Sequence, residues 1–263
     1  MTCAHGASVG RGQDTRRRAD VFLRLRGSLA WRPQRGYRRP VAACYFDVDG
    51  TLVSTNLVHP TLFYLLNQQS PLASLGKVAR GLFQAPSLAL SELLDRRTFN
   101  ERLYSLFEGT SEDRLVCLAD EAFDTVLRPN LYPGARDLVR VCRDDGHDVV
   151  LVSGALDFLM QRLADHLGAT HVIANRLEVH ANHATGKLMR PVVAGPEKAR
   201  LIRDHARAHG HDLDACFAYS DSYSDVPMLS VVGHPCAVNP DGALHRLARA
   251  YDWPVIRLDR APD

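Results

Sequence analysis

Two aspartates, Asp47 and Asp49, follow directly on the short apolar run Val41-Ala42-Ala43-Cys44-Tyr45-Phe46 and lead into Gly50-Thr51. A buried strand ending in two carboxylates puts them at the rim of a sheet. A loop bent at Gly50 then lets one aim at a substrate while the other acts beside it. A second pair, Asp221 and Asp225, follows the apolar run 215–219 and shares one face if a helix begins there. Four carboxylates gathered in one dry cleft raise each other's pKa unless a cation is present. A hard divalent ion with oxygen ligands resolves that conflict, and Mg²⁺ is the ordinary choice. Ser153, at the end of the run 147–152, adds a hydroxyl donor, and Lys198 adds a fixed positive charge. Such a set suits the equatorial oxygens of a phosphoryl group, and a carboxylate nucleophile divides its transfer into two steps.

The elements that must position these residues are legible in the periodicity. Strand patterns occupy 41–46, 147–152, 171–174, 215–219, 236–238 and 255–258. Helical patterns occupy 134–145, 156–167, 197–209, 225–232 and 243–250, and a hairpin is expected from 176–180 and 187–193. Strands alternating with helices imply right-handed crossovers and a doubly wound, Rossmann-like parallel sheet, an α/β fold whose ligands sit beyond the carboxyl ends of the strands. Asp47-Val48-Asp49, Ser153-Gly154 and Ser220-Asp221 are the three most polar strand ends, and they are expected to converge on one cleft. Residues 57–127 show only helical periodicity, with loops at 68–71 and 85–87, and read as three to five helices. The expected organisation is a basic leader over 1–40, a core from 41–56 and 129–263, and a helical insert over 57–128.

The net charge of +2 conceals an asymmetry. Ten arginines within residues 1–40 face only Asp14 and Asp20, a local net of +8, which leaves −6 on the remainder. The core is therefore not expected to bind nucleic acid. The leader's composition fits a disordered arm or an over-long start, with a transit peptide or a nucleic-acid arm as the alternatives. Six cysteines form no CxxC pair and no framework spacing, so a reduced, cytoplasmic protein is expected, with Cys44 and Cys216 inside buried strands. The apolar stretch 57–94 is broken by Pro60, Pro71, Lys77, Arg80 and Pro86, and no membrane span is expected. His205 and His209 stand four apart with His211 beyond, which raises a transition-metal site. No carboxylate or cysteine is spaced to complete it, so these histidines, like His180 and His183, read as a solvated face.

Asp47-Val48-Asp49-Gly50-Thr51, Ser153, Lys198 and the pair Asp221/Asp225 resemble, in that order, the four motifs of the haloacid dehalogenase superfamily. The resemblance spans residues 41 to about 258. The insert between the first two motifs is similar to the small helical cap of the phosphoserine phosphatase-like branch, as are the strings Ala174-Asn175-Arg176-Leu177-Glu178-Val179 and Thr185-Gly186-Lys187. The resemblance implies that Asp47 attacks phosphorus and that Asp49 protonates the leaving alkoxide, then deprotonates the hydrolytic water. Mg²⁺ would be held by the Asp47 carboxylate, the Asp49 backbone carbonyl and Asp221, with Asp225 behind them holding metal waters or Lys198. Ser153, Lys198 and backbone N–H groups around Val48 and Gly154 would bind the phosphate. Thr51 either orients Asp49 or caps the next helix.

Some positions depart from that branch. Its members carry a glutamate nine residues after the nucleophile that meets the substrate ammonium, and here that residue is the neutral Asn56. Gly50 stands where the subgroup often has serine, and Ser220-Asp221-Ser222-Tyr223-Ser224-Asp225 lacks the glycine-rich, Asn-Asp form. Glu92 or Glu101 would be the alternative partners for an ammonium. Arg96 and Arg97 read as helix-surface charge, or else as partners for a substrate carboxylate. The reading is thus a phosphatase acting on a small phosphorylated substrate, as monomer or homodimer. A non-hydrolytic binding protein retaining the fold is the rival. A chain starting near residue 39 is expected to keep its melting temperature and Mg²⁺-dependent activity, because the leader cannot bury apolar area. A large drop in either, followed by calorimetry and p-nitrophenyl phosphate hydrolysis, would show the leader packing on the core.

Overall fold

The structure, a computed structural model, describes residues 42–67, 75–76, 78–79, 81 and 95–258. The basic leader, the expected loops at 68–71 and 85–87, and Glu92 lie outside the described residues.

Six parallel strands build the central sheet: β1 (Ala43–Phe46), β2 (Asp148–Leu156), β3 (His171–Asn175), β6 (Phe217–Ser220), β7 (His234–Val238) and β8 (Val255–Ile256). Their order is β3-β2-β1-β6-β7-β8. The chain runs from β1 outward to β2 and β3, then returns to β6 on the other side of β1. That reversal leaves a crevice beyond the carboxyl ends of β1 and β6, where Asp47 and Asp221 emerge. Both faces of β1 are buried, and alternation along the strand divides the core. Tyr45 packs with Val150, Val152, Ala218 and Ala237 on one face. Phe46 stacks on Tyr219 on the other, ring centroids 4.4 Å apart.

The helices form where sequence periodicity and caps agree. Helix α5 (Ala135–Asp144) buries Ala135, Leu138, Val139 and Cys142, one stripe at helical spacing. Helices α6 (Asp157–Leu167) and α7 (Pro196–His209) each stop at a glycine in the left-handed region, Gly168 and Gly210. The short α8 (Val226–Leu229) and α9 (Gly242–Ala250) follow, the latter capped by Asp241.

Between β1 and α5 the described residues are helical: α1 (Val58–Leu66), α2 (Arg96–Ser105), α3 (Glu112–Cys117) and α4 (Ala119–Ala122), the last running on through irregular turns to Asn130. This stretch is tied to a hairpin of β4 (Leu177–His180) and β5 (His183–Leu188) by Gly109 N–H to Ala184 O at 2.8 Å and Ala184 N–H to Thr110 O at 2.9 Å.

Several expectations are corrected. The second hairpin strand begins at His183 rather than 187, because Ala181 and Asn182 take positive φ and turn the chain earlier. Strand β2 continues to Leu156, past the Ser153-Gly154 end that polarity suggested, with a register irregularity against β3. Cys216 is buried but precedes β6. The cysteines among the described residues are free. His205, His209 and His211 do not make a purely solvated face. The His211 side chain is buried, with Nε2 2.9 Å from Asp148 Oδ2, and His205 Nδ1 lies 3.2 Å from the Tyr45 hydroxyl. Among the described residues no helix is long and apolar enough to cross a membrane.

Candidate active site

The residues of the four motifs reach one crevice. Asp47, Asp49, Gly154, Lys198, Asp221 and Asp225 line it, and Thr51 and Ser153 are hydrogen-bonded to its walls. Its floor is made by the loop after β1. Thr51, Leu52 and Val53 all turn their N–H groups back to Val48 O, at 3.2, 2.9 and 3.1 Å. This curl swings Asp49 out of line with Asp47, so the two carboxylates do not stand as neighbours on one strand face. Gly50 makes the curl possible twice over. Its φ of +82° is one that side chains avoid, and a Cβ there would lie 2.1 Å from Asp221 Oδ2.

Lys198 sits on the first turn of α7, which begins at Pro196 after Gly195, and its ammonium is buried between two carboxylates. Nζ is 2.6 Å from Asp47 Oδ1 and 2.8 Å from Asp225 Oδ2. Burial works against that charge, yet Asp225 and Asp47 together outweigh it and hold the ammonium above its ordinary pKa. Asp225 Oδ2 also accepts from Ser220 Oγ at 2.8 Å. Thr51 neither orients Asp49 nor caps a helix; its hydroxyl donates to Asp47 Oδ2 at 2.9 Å and stands 3.3 Å from Asp221 Oδ1. Ser153 Oγ accepts from Ala155 N–H at 3.0 Å and donates to Asp49 Oδ2 at 3.2 Å. The local turn and the site-facing contact thus coexist in one hydroxyl.

The remaining carboxylates are under-compensated. Burial, then the charge of Asp47, pushes Asp49 up to about 7. Burial, then Asp47 and Asp225, pushes Asp221 up to about 8. Asp47 is raised by burial even with Lys198 opposing it. One lysine does not balance the carboxylates buried around it. The deficit falls where Asp47 and Asp221 approach each other across Thr51, and a hard cation with oxygen ligands fits that donor set.

The helical stretch contributes the opposite wall, with Asn56, Leu57, Val58, Arg96, Phe99 and Asn100 facing the cleft. Tyr104 Oη donates to Gly154 O at 3.1 Å, and Asn100 Nδ2 donates to Val193 O at 3.3 Å. Asn175 holds the other side, Nδ2 to Gly154 O at 2.8 Å and Oδ1 from Val193 N–H at 2.7 Å. Gly154 cannot carry a side chain here, since a Cβ would stand 2.7 Å from Asn100 Nδ2. Arg96 reaches the cleft, whereas Arg97 pairs on the surface with Glu101 at 3.1 Å. Asn56 Oδ1 accepts from Val58 N–H at 3.1 Å and lies 3.0 Å from His59 Nδ1.

Sequence reasoning named Ser220 only as part of a strand end, without a role, and passed over Asn100, Tyr104 and Asn175 as site residues. Asn175 and Asn100 carried a faint signal as lone amides beside apolar positions. Nothing local distinguished Tyr104.

A model of the haloacid dehalogenase-like hydrolase family matches residues 44–230. The chain is 33% identical over 226 residues to an inhibition of morphological differentiation protein of Streptomyces azureus, covering 84% of this chain and 80% of that one. It is 32% identical over 228 residues to a phosphoserine phosphatase of Mycobacterium tuberculosis, covering 81% and 70%. Among solved structures, a Bordetella pertussis protein of unknown function superposes with a TM-score of 0.72 at 25% identity, over 84% of this chain and 100% of the other. A phospho-aspartyl intermediate analogue of phosphoserine phosphatase shares the fold at a TM-score of 0.61 and 19% identity, over 84% and 95%. With its four motifs gathered at the switch point of a doubly wound sheet, the chain belongs to the haloacid dehalogenase-like hydrolase family, as a phosphatase of the phosphoserine phosphatase-like branch.

Proposed function

We propose that this phosphatase hydrolyses a small phosphomonoester through an aspartyl-phosphate on Asp47, with Mg²⁺ as cofactor. The observation that carries the reading is the buried cluster of Asp47, Lys198, Asp225 and Asp221, in which a single ammonium faces more carboxylates than it can neutralise, an imbalance that a divalent cation would offset. Mg²⁺ would be held by the carboxylates of Asp47 and Asp221 and the backbone carbonyl of Asp49, and it would neutralise charge on the phosphoryl oxygens.

Asp47 Oδ attacks phosphorus in line, and the phosphorus–oxygen bond to the leaving group breaks. The departing alkoxide takes its proton from Asp49, whose carboxyl, at about 7, is poised to give one near neutral pH. In the second step Asp49 takes a proton from water. That water attacks the phosphoryl group and frees both phosphate and the Asp47 carboxylate. Lys198 and Ser153 hold the phosphoryl oxygens, and Asp225 keeps Lys198 in place. Residues 57–128 act as a cap over the site, on a core of 41–56 and 129–263, with Asn100 and Tyr104 as the seam between them. A non-hydrolytic binding role would not require an acid, a nucleophile and a buried lysine in contact.

Substrate choice follows from the cap wall. The carboxylates lining the cleft, Asp47, Asp49, Asp221 and Asp225, are committed to the phosphoryl and metal end, and among the described residues Arg96 is the charged group on the opposite wall. Asn56 offers only an amide oxygen that already accepts from Val58 N–H at the start of α1. A substrate ammonium would lose a charge-assisted hydrogen bond worth roughly 1.5–3 kcal/mol for a neutral one of about 1. The preferred substrate therefore carries a neutral or anionic group there. Glu101, the described alternative for pairing an ammonium, is engaged with Arg97 and Arg190.

Three outcomes are expected. Asp47→Asn lowers turnover on p-nitrophenyl phosphate by about three orders of magnitude or more, since it removes both the attacking charge and a metal ligand; near-wild-type turnover would sink the mechanism. Phosphoserine is a poor substrate, and Asn56→Glu improves it roughly tenfold relative to a phosphomonoester lacking an ammonium. A strong wild-type preference for phosphoserine across a metabolite panel contradicts that reading.

The third concerns pH. Folded Asp49 and Asp221, at about 7 and about 8, hold protons that an unfolded aspartate carboxyl releases near its ordinary pKa of 3.8. The metal-free folded state thus binds more protons than the unfolded state across this window, and stability falls as pH rises from about 4 to about 8. Chelator-treated protein should melt lower at pH 8 than at pH 5.5, and added Mg²⁺ should raise the midpoint more at pH 8, where it displaces fewer protons. Equal midpoints at the two values, with no pH-dependent effect of Mg²⁺, would refute the charge deficit.

A further inference from the structure

Far from the cleft, the other end of α7 carries a different donor set. His205 and His209 lie one turn apart on its last turns, and His171, the first residue of the edge strand β3, completes a triangle with them. One ring nitrogen from each lies within 4.8 Å of the others. The rings crowd together, with centroids 4.1 Å apart for His205–His209, 4.5 Å for His171–His209 and 4.9 Å for His171–His205. Lys198 is on the first turn of the same helix, seven residues before His205, or about 10 Å along the axis at ~1.5 Å per residue. His171 pairs with Val150 near the amino end of β2, away from the carboxyl ends that form the cleft.

Two independent features point to a ligand. First, His205 Nε2 is buried and has no hydrogen-bond partner among the described residues. Second, the nitrogens on the far side of two rings are already oriented. His209 Nδ1 is 2.9 Å from the carbonyl of His205, so it carries the hydrogen and leaves Nε2 with a free lone pair. His205 Nδ1, 3.2 Å from the Tyr45 hydroxyl, can donate to that oxygen and leave its own Nε2 free in the same way. A backbone carbonyl or hydroxyl fixing the distal nitrogen is the usual outer support of a metal-binding imidazole. Behind them His211, held by Asp148 at 2.9 Å, closes the floor of the cluster.

We propose that His171, His205 and His209 bind one divalent transition-metal ion, of the Zn²⁺ class, as three nitrogen ligands with an open fourth position. A nitrogen-only set excludes Mg²⁺ and Ca²⁺, which require oxygen, so this site and the acidic cleft select different ions. Around zinc at ~2.1 Å, three nitrogens stand about 3.4 Å apart, so the triangle closes by at most a little over an ångström, through rotation of the exposed His209 and the partly exposed His171. The bound ion fastens the edge strand β3 to the carboxyl end of α7.

The test uses the full-length, untagged chain, stripped with chelator and returned to excess Mg²⁺ so that the acidic cleft is filled. Zn²⁺ bound per chain after gel filtration, Co²⁺ absorption in the visible, and the melting midpoint are then measured. One equivalent of Zn²⁺, an intense Co²⁺ band of a tetrahedral nitrogen site and a rise of several degrees in the midpoint are expected. His209→Gln and His171→Gln, on separate elements, should each weaken Zn²⁺ binding at least tenfold and abolish the rise. Both should leave Mg²⁺-dependent hydrolysis of p-nitrophenyl phosphate within twofold when zinc is absent. Absence of Zn²⁺ binding by the wild-type chain in excess Mg²⁺, or undiminished binding in both variants, would overturn the proposal.

Discussion

The buried ammonium of Lys198, wedged between Asp47 and Asp225, is the contact around which the cleft is organised. A lysine with under a tenth of its side chain exposed is tolerable only if its charge is matched, and 2.6 and 2.8 Å contacts match it twice. Once it is in place, the surrounding groups have little freedom. Ser220 must saturate Asp225, Thr51 must fill the gap between Asp47 and Asp221, and the loop after β1 must curl at a residue without a Cβ. The carboxylates left over, Asp49 and Asp221, are pushed up by burial and then by the charge of Asp47, with Asp225 adding to Asp221, and this tension favours a cation in the site.

The opposite wall imposes a second constraint, of shape and polarity rather than charge balance. Tyr104 and Asn175 both donate to Gly154 O, so the peptide at the end of the catalytic part of β2 is fixed from the helical side and from β3 at once. Asn100 closes the same corner on Val193. Opening the cleft along this seam would cost a small number of hydrogen bonds, a modest barrier. Arg96 is left looking into the cleft with Asn56 and Phe99 beside it.

Helix α7 joins two regions of opposite coordination chemistry. Its first turn delivers a lysine to a cluster of hard oxygen donors, and its last turns deliver imidazoles to a cluster of nitrogen donors. Because the helix is rigid, the two regions are held at a set distance. Their donor types would favour different classes of ion.

The carboxylates, the serine and the lysine were legible in the chain because each ends a strand or opens a helix, where periodicity breaks and a polar residue stands against an apolar run. That signal is local, and it was enough for the order of strands and helices and for the convergence of three strand ends on one crevice. The partners of those residues were not legible. Thr51 turns to Asp47 and Asp221 rather than to Asp49 because the loop curls back on Val48, a conformation that depends on how closely Asp221 approaches Gly50. Asn100, Tyr104 and Ser220 join the site through contacts spanning tens of residues or through a hydroxyl that periodicity does not distinguish. The third histidine escaped notice for the same reason. His205 and His209 are four apart on a helix, but His171 meets them only because β3 occupies the sheet edge beneath α7. Sequence by itself determined which groups could do chemistry. Tertiary structure decided which of them touch, because side-chain distance across a sheet is set by strand order and packing, neither of which leaves a periodic trace in the chain.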